Sequence, residues 1–372
     1  MKKSICIFAA VILIAASFAA CSKTPEPQQE QTTVMPPFIT AQPTQATTEI
    51  LGGLALSGEW GDATWELFHS GELVFSGSGR LVSRDEDEET DWMPYGEYIK
   101  TIIINEGITE IGKNLFRSHS SLEKLSLPAT LTLIEEQAFA DCGKLREVTL
   151  PDGVVTAEDY AFENSGVEKI RLGASVAEFG PLAFSGCKVT DIRVSDDNPS
   201  FSVDAYGVLF NKDKTELIWF SNGFLMNSYS VPDGVKVIKE ESFFNEYLAE
   251  ITLPDGLEEI EKRAFAGCIS LKAHEIPSTV TEIGSEAFAD CRAIEEFAFP
   301  EGIEHIRSGV LSGCPNLKSV YLPKSVLTIG ENAFGSQATF EINYDGSKED
   351  WKKVSVAQGN AAVGYANKNY GI

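Results

Sequence analysis

The sequence predicts a β-rich α/β solenoid, a stack of short coils that each supply brief strands and one compact turn. Three observations predict it. Pro254, Pro277, Pro300 and Pro323 stand 23 residues apart, Phe265, Phe288, Leu311 and Phe334 keep the same step, and so do Cys268, Cys291 and Cys314. A fixed period of this length marks supersecondary units stacked on one another. Within the period, Val320 and Leu322 lie two apart on one strand face, and Pro323 follows; proline has no N–H for the ladder and ends the strand. A coil this short cannot bury its own apolar residues, so the coils must pack against each other.

Each unit has three pieces. The first reads L-x-x-I-x-L-P and is a strand. A second extended piece ends at Ile283 or Ile329. The third, A-F-x-x-C, is expected to make one short helical turn that drops its Phe into the core. The whole pattern, LP-x-x-V-x-x-IG-x-x-AF-x-x-C-x-x-L, resembles the BspA-type leucine-rich repeat of bacterial surface proteins. The resemblance covers about two thirds of the chain and recurs nine times. It implies a leucine-rich-repeat solenoid and display on a bacterial surface.

Taken in order, the chain opens with a targeting segment at residues 1–20. Lys2 and Lys3 precede an apolar run from Ile5 to Phe18, and Phe18-Ala19-Ala20-Cys21 resembles a lipoprotein signal, with Phe where that family usually has Leu. Cys21 is therefore the expected lipid attachment site. Residues 21–53 are rich in Pro, Thr and Gln and are expected to be a disordered tether. Residues 54–98 are expected to form an N-terminal β cap, with a hairpin around His69-Ser70-Gly71-Glu72 and Trp60, Trp65 and Trp92 sealing the open end.

The solenoid is placed at residues 99–343. Its aromatic column runs Phe116, Phe139, Phe162, Phe184, Phe243, Phe265, Phe288, Leu311 and Phe334, with one step of 59 residues between Phe184 and Phe243. That step marks an insertion at about 195–230. There Gly207–Phe210 and Leu217–Phe220 flank Asn211-Lys212-Asp213-Lys214-Thr215-Glu216 as a β-hairpin. Residues 344–372 are expected to close the stack, with Ser347 and Asp350 capping a short helix, Trp351 covering the last coil and a loose tail after Gly359.

Several motifs invite a chemical reading and lose it on inspection. Gly107 to Lys113 has phosphate-loop spacing, but Asn114 stands where a Ser or Thr must hold Mg²⁺, and both glycines sit in repeat columns. The acidic run Asp85 to Asp91 has Thr90 and Gly96 where a calcium loop needs Gly and Glu. His69, His119, His274 and His305 lie in no catalytic motif; His274 occupies an inward column and is read as a structural histidine. Cys142, Cys187, Cys268, Cys291 and Cys314 share one column. Zinc ligands converge on a point, whereas a column is a line. Neighbours stacked at ~4.8 Å exceed the ~3.8 Å Cβ separation a disulfide prefers. They are read as free, buried thiols, and no metal or cofactor is expected.

The formal net charge of −25 opposes binding to nucleic acid. The expected function is a surface-displayed, lipid-anchored, adhesin-like binder of an extracellular protein, monomeric and non-catalytic. The alternative is a cell-envelope scaffold or glycan-binding module. Strand parity turns the third and fifth residues of each L-x-x-I-x-L strand outward, as two stripes on the sheet face. Lys124, Lys169, Arg171 and Arg193 gather in its N-terminal half, Tyr321 lies toward its C-terminal end, and Trp219 and Phe220 of the hairpin are expected to project nearby. The basic half is the candidate site for an acidic protein segment or an anionic glycan.

Overall fold

The computed structural model describes residues 53–371, apart from 86–87, 181, 222, 224–225, 273–274 and 336–339. The described residues belong to the second of two compact units, Thr40–Ile372. The signal segment, Cys21 and the tether lie outside the described residues, as do His274 and part of the acidic run.

At the N-terminal end, β1 (Leu54–Trp60), β2 (Ala63–Phe68) and β3 (Glu72–Ser76) form an antiparallel meander. β3 then pairs in parallel with β5 (Thr101–Ile104), and β4 (Gly79–Leu81) pairs with β6 (Ile108–Ile111). Residues 72–81 thus make a coil of their own. Trp92 packs edge-on against Trp60, Trp65 and Phe75 at 5.2–5.4 Å between ring centroids. Such edge-to-face contacts add to the area the rings bury.

From there two rows of parallel strands run along the stack, about eleven turns in all. In the first row Lys169–Leu172 lies between Glu147–Leu150 and Asp191–Val194, in register residue for residue. Buried and outward positions alternate along strands such as Glu147–Leu150, where Val148 and Leu150 are inward, whereas Ser319–Leu322 and Glu341–Tyr344 toward the C-terminal end bury adjacent residues. The second row is shorter, two residues per coil at Leu133–Ile134, Thr156–Ala157 and Glu178–Phe179.

The third side of the coil is not a helical turn. It is a turn held by two left-handed residues four apart, such as Gln137 and Asp141 (φ 56° and 61°) or Glu286 and Asp290 (φ 57° and 58°). Left-handed residues cannot continue a right-handed helix. The backbone instead bonds between coils: the N–H groups of Phe139 and Asp141 donate to the carbonyls of Ala161 and Glu163, and Phe265 and Gly267 donate to Ala287 and Ala289. Each turn therefore templates the next. The aromatic column stacks with it, at 5.2, 5.3 and 4.8 Å from Phe116 through Phe184.

The insertion contains the hairpin. Leu209–Asn211 and Glu216–Trp219 pair antiparallel, and the Asn211 side-chain oxygen accepts from the N–H groups of Thr215 and Glu216 to close the turn. Phe201–Val203 adds a third antiparallel strand, and Glu216–Trp219 pairs in parallel with Val237–Ile238, which returns the chain to the second row. At the C-terminal end α1 (Lys348–Trp351) carries a capping box made by Ser347 and Asp350, and Trp351 meets Tyr344 edge-on at 5.2 Å. The tail after Gly359 is not loose. It forms α2 (Ala361–Tyr365) and a strand, Asn367–Tyr370, that pairs with Glu341–Tyr344. An unpaired strand edge there takes up whatever backbone can reach it, and the tail can.

Candidate functional site

Most of the stripe residues expected from strand parity face outward, but Ser319, expected in the same stripe as Lys124 and Lys169, is buried. Lys124 and Lys169 are exposed there, and neither side chain has an ion-pair or hydrogen-bond partner among the described residues. The two arginines differ. Arg171 donates to Asp191 at 3.1 Å and approaches Glu147 at 3.9 Å, while Arg193 meets the other oxygen of Asp191 at 3.2 Å. Both arginines also line a shallow groove of about 500 Å³ with Pro151, Leu172 and Val194. Asp191 is held below the usual carboxylate range by its hydrogen bond from Arg171. The face thus offers two unpaired lysines beside two arginines already turned toward an aspartate. Tyr321 is exposed at the other end of the face.

Trp219 and Phe220 do not project beside this face. They are buried, and they join the two halves of the aromatic column. Trp219 lies 5.8 Å from Phe179 and 6.2 Å from Phe184, whereas Phe220 stacks on Phe243 at 4.9 Å. A hairpin that replaces a coil must still fill the core on both sides of itself, and adjacent aromatics facing opposite ways do so.

The five column cysteines are buried and in line. Each thiol donates to the carbonyl of the Phe one coil back: Cys187 to Phe162 at 3.1 Å, Cys268 to Phe243 at 3.0 Å, Cys291 to Phe265 at 3.1 Å, Cys314 to Phe288 at 3.2 Å and, more loosely, Cys142 to Phe116 at 3.5 Å. Where one coil has Ser165 instead, its hydroxyl donates to Phe139 O at 2.7 Å. The column selects a small donor. Gly112 has the reason of close packing rather than phosphate binding: a Cβ there would meet the backbone of Leu81 and Ser83.

Among the described residues, two break the column. His119 stands in the first coil, its Nδ1 2.9 Å from Phe116 O, and burial lowers its pKa to about 4. Glu246 stands in the first coil after the insertion. It is 4% exposed and has no hydrogen-bond or ion-pair partner among the described residues. Burial pushes its carboxyl up to about 9. Glu246 lines a cavity of about 700 Å³ with Tyr160, Phe184, Trp219 and Tyr247. The reading from sequence missed Glu246, although its place three residues after Phe243, where most coils have Cys or Ser, was visible. Among the described residues no group of three or more His, Cys, Asp and Glu side chains is placed to hold a metal ion.

The fold and these columns can be set beside known proteins. A family model described as BspA type leucine-rich repeat region matches six copies, over residues 95–207 and 218–341. No curated protein matches the chain. Among solved structures, a leucine-rich repeat protein from Eubacterium ventriosum is similar at 24% identity and a TM-score of 0.66, covering 77% of this chain and 84% of its own. A leucine-rich cell surface protein from Faecalibacterium prausnitzii is similar at 24% identity and a TM-score of 0.54, covering 82% and 99%. The pneumococcal vaccine antigen PcpA is similar at 20% identity and a TM-score of 0.57, covering 86% and 99%. At these identities the structural likeness speaks for the fold. The matched repeats, the intercoil turns and the Phe and Cys columns together make this chain a member of the BspA-type leucine-rich repeat family.

Proposed function

We propose that this protein is a lipid-anchored binder displayed on a bacterial surface, adhesin-like and non-catalytic, which docks an acidic segment of an extracellular protein on the N-terminal half of its sheet face. Membership of a repeat family of bacterial surface proteins supports the setting, and the Phe18–Cys21 signal supports the anchor. The observation that carries the docking reading is the exposure of Lys124 and Lys169 without ion-pair partners, in a chain of net charge −25. In such a chain most cations are already engaged, so two free ones on one open face are available to a partner.

The test uses the full chain with an immobilised poly-glutamate peptide, and heparin as the anionic-glycan arm. Lys124→Glu with Lys169→Glu should lower peptide capture at least tenfold. Parent capture should also weaken as salt rises, because exposed charges are screened over ~8–10 Å at physiological strength. Reversing Arg171 is a poorer choice, since it would set a third carboxylate beside Glu147 and Asp191. Undiminished capture by the double variant would remove the lysines from the site, and capture of heparin alone would favour the glycan reading. The anchor has its own test. Cys21→Ala should move the protein from the membrane fraction to the soluble one, because the acyl chains supply the affinity; continued partition into detergent would refute it.

A further inference from the structure

The cavity beside the insertion lies on the turn side of the coils, shares no residue with the sheet-face stripes, and has no role in the binding reading above. We propose that it is a second binding site, for a short peptide segment bearing a lysine or arginine, with the basic side chain on Glu246 and peptide carbonyls on the open turn of the preceding coil.

Three features carry this. The first is the broken hydrogen-bond row. In the coils before it, the turn Phe and the residue two beyond donate their N–H groups to the next coil: Phe139 and Asp141 to Ala161 and Glu163, Phe162 and Asn164 to Ala183 and Ser185. In the last coil before the insertion the equivalent donors are Phe184 and Gly186, and neither N–H has an acceptor among the described residues. Both residues line the cavity. The coil that would have supplied two carbonyls has been replaced by the hairpin, and an incoming peptide has carbonyls at that spacing.

The second is Glu246. A buried acid with no partner is costly, and this one replaces a Cys or Ser that every neighbouring coil uses as a small donor. It opens onto the cavity. The third is the wall. Trp219, Phe184 and Tyr160 provide aromatic surface for the alkyl stem and charge of a basic side chain. The charged groups facing the cavity are Glu163, Glu241 and Lys188 besides Glu246, and Arg263 already pairs with Glu241 at 2.7 Å. The balance favours a cation. At about 700 Å³ the space suits a few residues. Because burial keeps Glu246 protonated at neutral pH, an arriving ammonium should expel that proton, so binding should tighten as pH rises from 6 toward 9.

The experiment is calorimetric titration of the full chain with acetyl-Gly-Gly-Lys-Gly-Gly-amide, the same peptide with acetyl-lysine, and free 1,5-diaminopentane. The lysine peptide should bind saturably with proton release. Glu246→Cys, which restores the residue other coils carry and should fold at least as well, should lose affinity at least tenfold, as should Glu246→Gln. The acetyl-lysine peptide should fail. Absence of saturable binding to the parent overturns the site. Equal binding to the Glu246→Cys variant, or to the acetylated peptide, overturns the role of Glu246. Diaminopentane binding as tightly as the peptide would overturn the peptide assignment and leave a small-amine site.

Discussion

At the residue scale, the Phe and Cys columns show how a repeat specifies itself. Each thiol has one job, donating to a carbonyl in the previous coil, and burial makes the thiolate expensive. It pushes Cys142, Cys187 and Cys314 up to about 12 and raises Cys268 and Cys291 as well. The thiolate is the reactive form. A shift of about three pH units removes roughly a factor of a thousand in its population, before access is counted. Iodoacetamide at pH 8 should therefore leave all five thiols unlabelled in the native chain and label all five in urea, as read by mass spectrometry. Fast native labelling, or pairs linked by disulfide, would contradict the column. Replacing Cys291 by Ser should cost little, because Ser165 already fills the same role with a 2.7 Å bond.

At the element scale, the period was legible because each coil repeats the same demands, and the hairpin was legible because Asn211 to Glu216 has turn chemistry between two apolar runs. The turn was not. A-F-x-x-C spacing suits a helical turn and the observed turn equally, and the left-handed residues Gln137, Tyr160, Glu241 and Arg263 are not types that announce positive φ. What holds them is the hydrogen-bonded neighbour above, which no local pattern reports. The C-terminal strand was hidden for the same reason, since Asn367–Tyr370 is ordered by the edge it meets rather than by its own propensity. Parity turns most of the stripe residues outward, though Ser319 is buried; Asp191 captures Arg171 from the neighbouring strand and Arg193 from its own, two residues on. A matched pair of substitutions tests the turn. Gly267 has φ 77°, and a Cβ there would press on the Asn245 side chain, whereas Gly256 has open space around its Cβ position. Gly267→Ala should cost about 1–3 kcal/mol in urea unfolding, from left-handed strain plus the clash. Gly256→Ala should change it by less than about 0.5 kcal/mol. Equal effects would mean the turn conformation is not enforced.

At the scale of the whole molecule, the insertion divides the core. The buried apolar residues fall into two clusters, one running from Ala63 to Trp219 and the other from Val208 to Ala366. In stacked repeats stability is the sum of coils and their nearest-neighbour interfaces, so a weak interface lets the two parts unfold separately and the two-state description fail. The two buried titratable breaks in the Cys column sit on opposite sides of this division, and their signs differ. His119 is held down to about 4 against an ordinary 6.5, so the unfolded chain binds a proton that the folded chain refuses, and the N-terminal part loses stability as pH falls below 6.5. Glu246 is pushed up to about 9 against an ordinary 4.5, so the folded chain keeps a proton that the unfolded chain releases, and the C-terminal part gains stability as pH falls from 9 toward 4.5. Between pH 7.5 and 5.5 the effects are on the order of 1 kcal/mol against the first part and 2–3 kcal/mol in favour of the second. Scanning calorimetry should resolve two transitions that move in opposite directions across this interval. His119→Ser should flatten the pH response of one and Glu246→Cys that of the other. A single transition whose midpoint both variants shift alike would show that the hairpin couples the two halves into one cooperative unit.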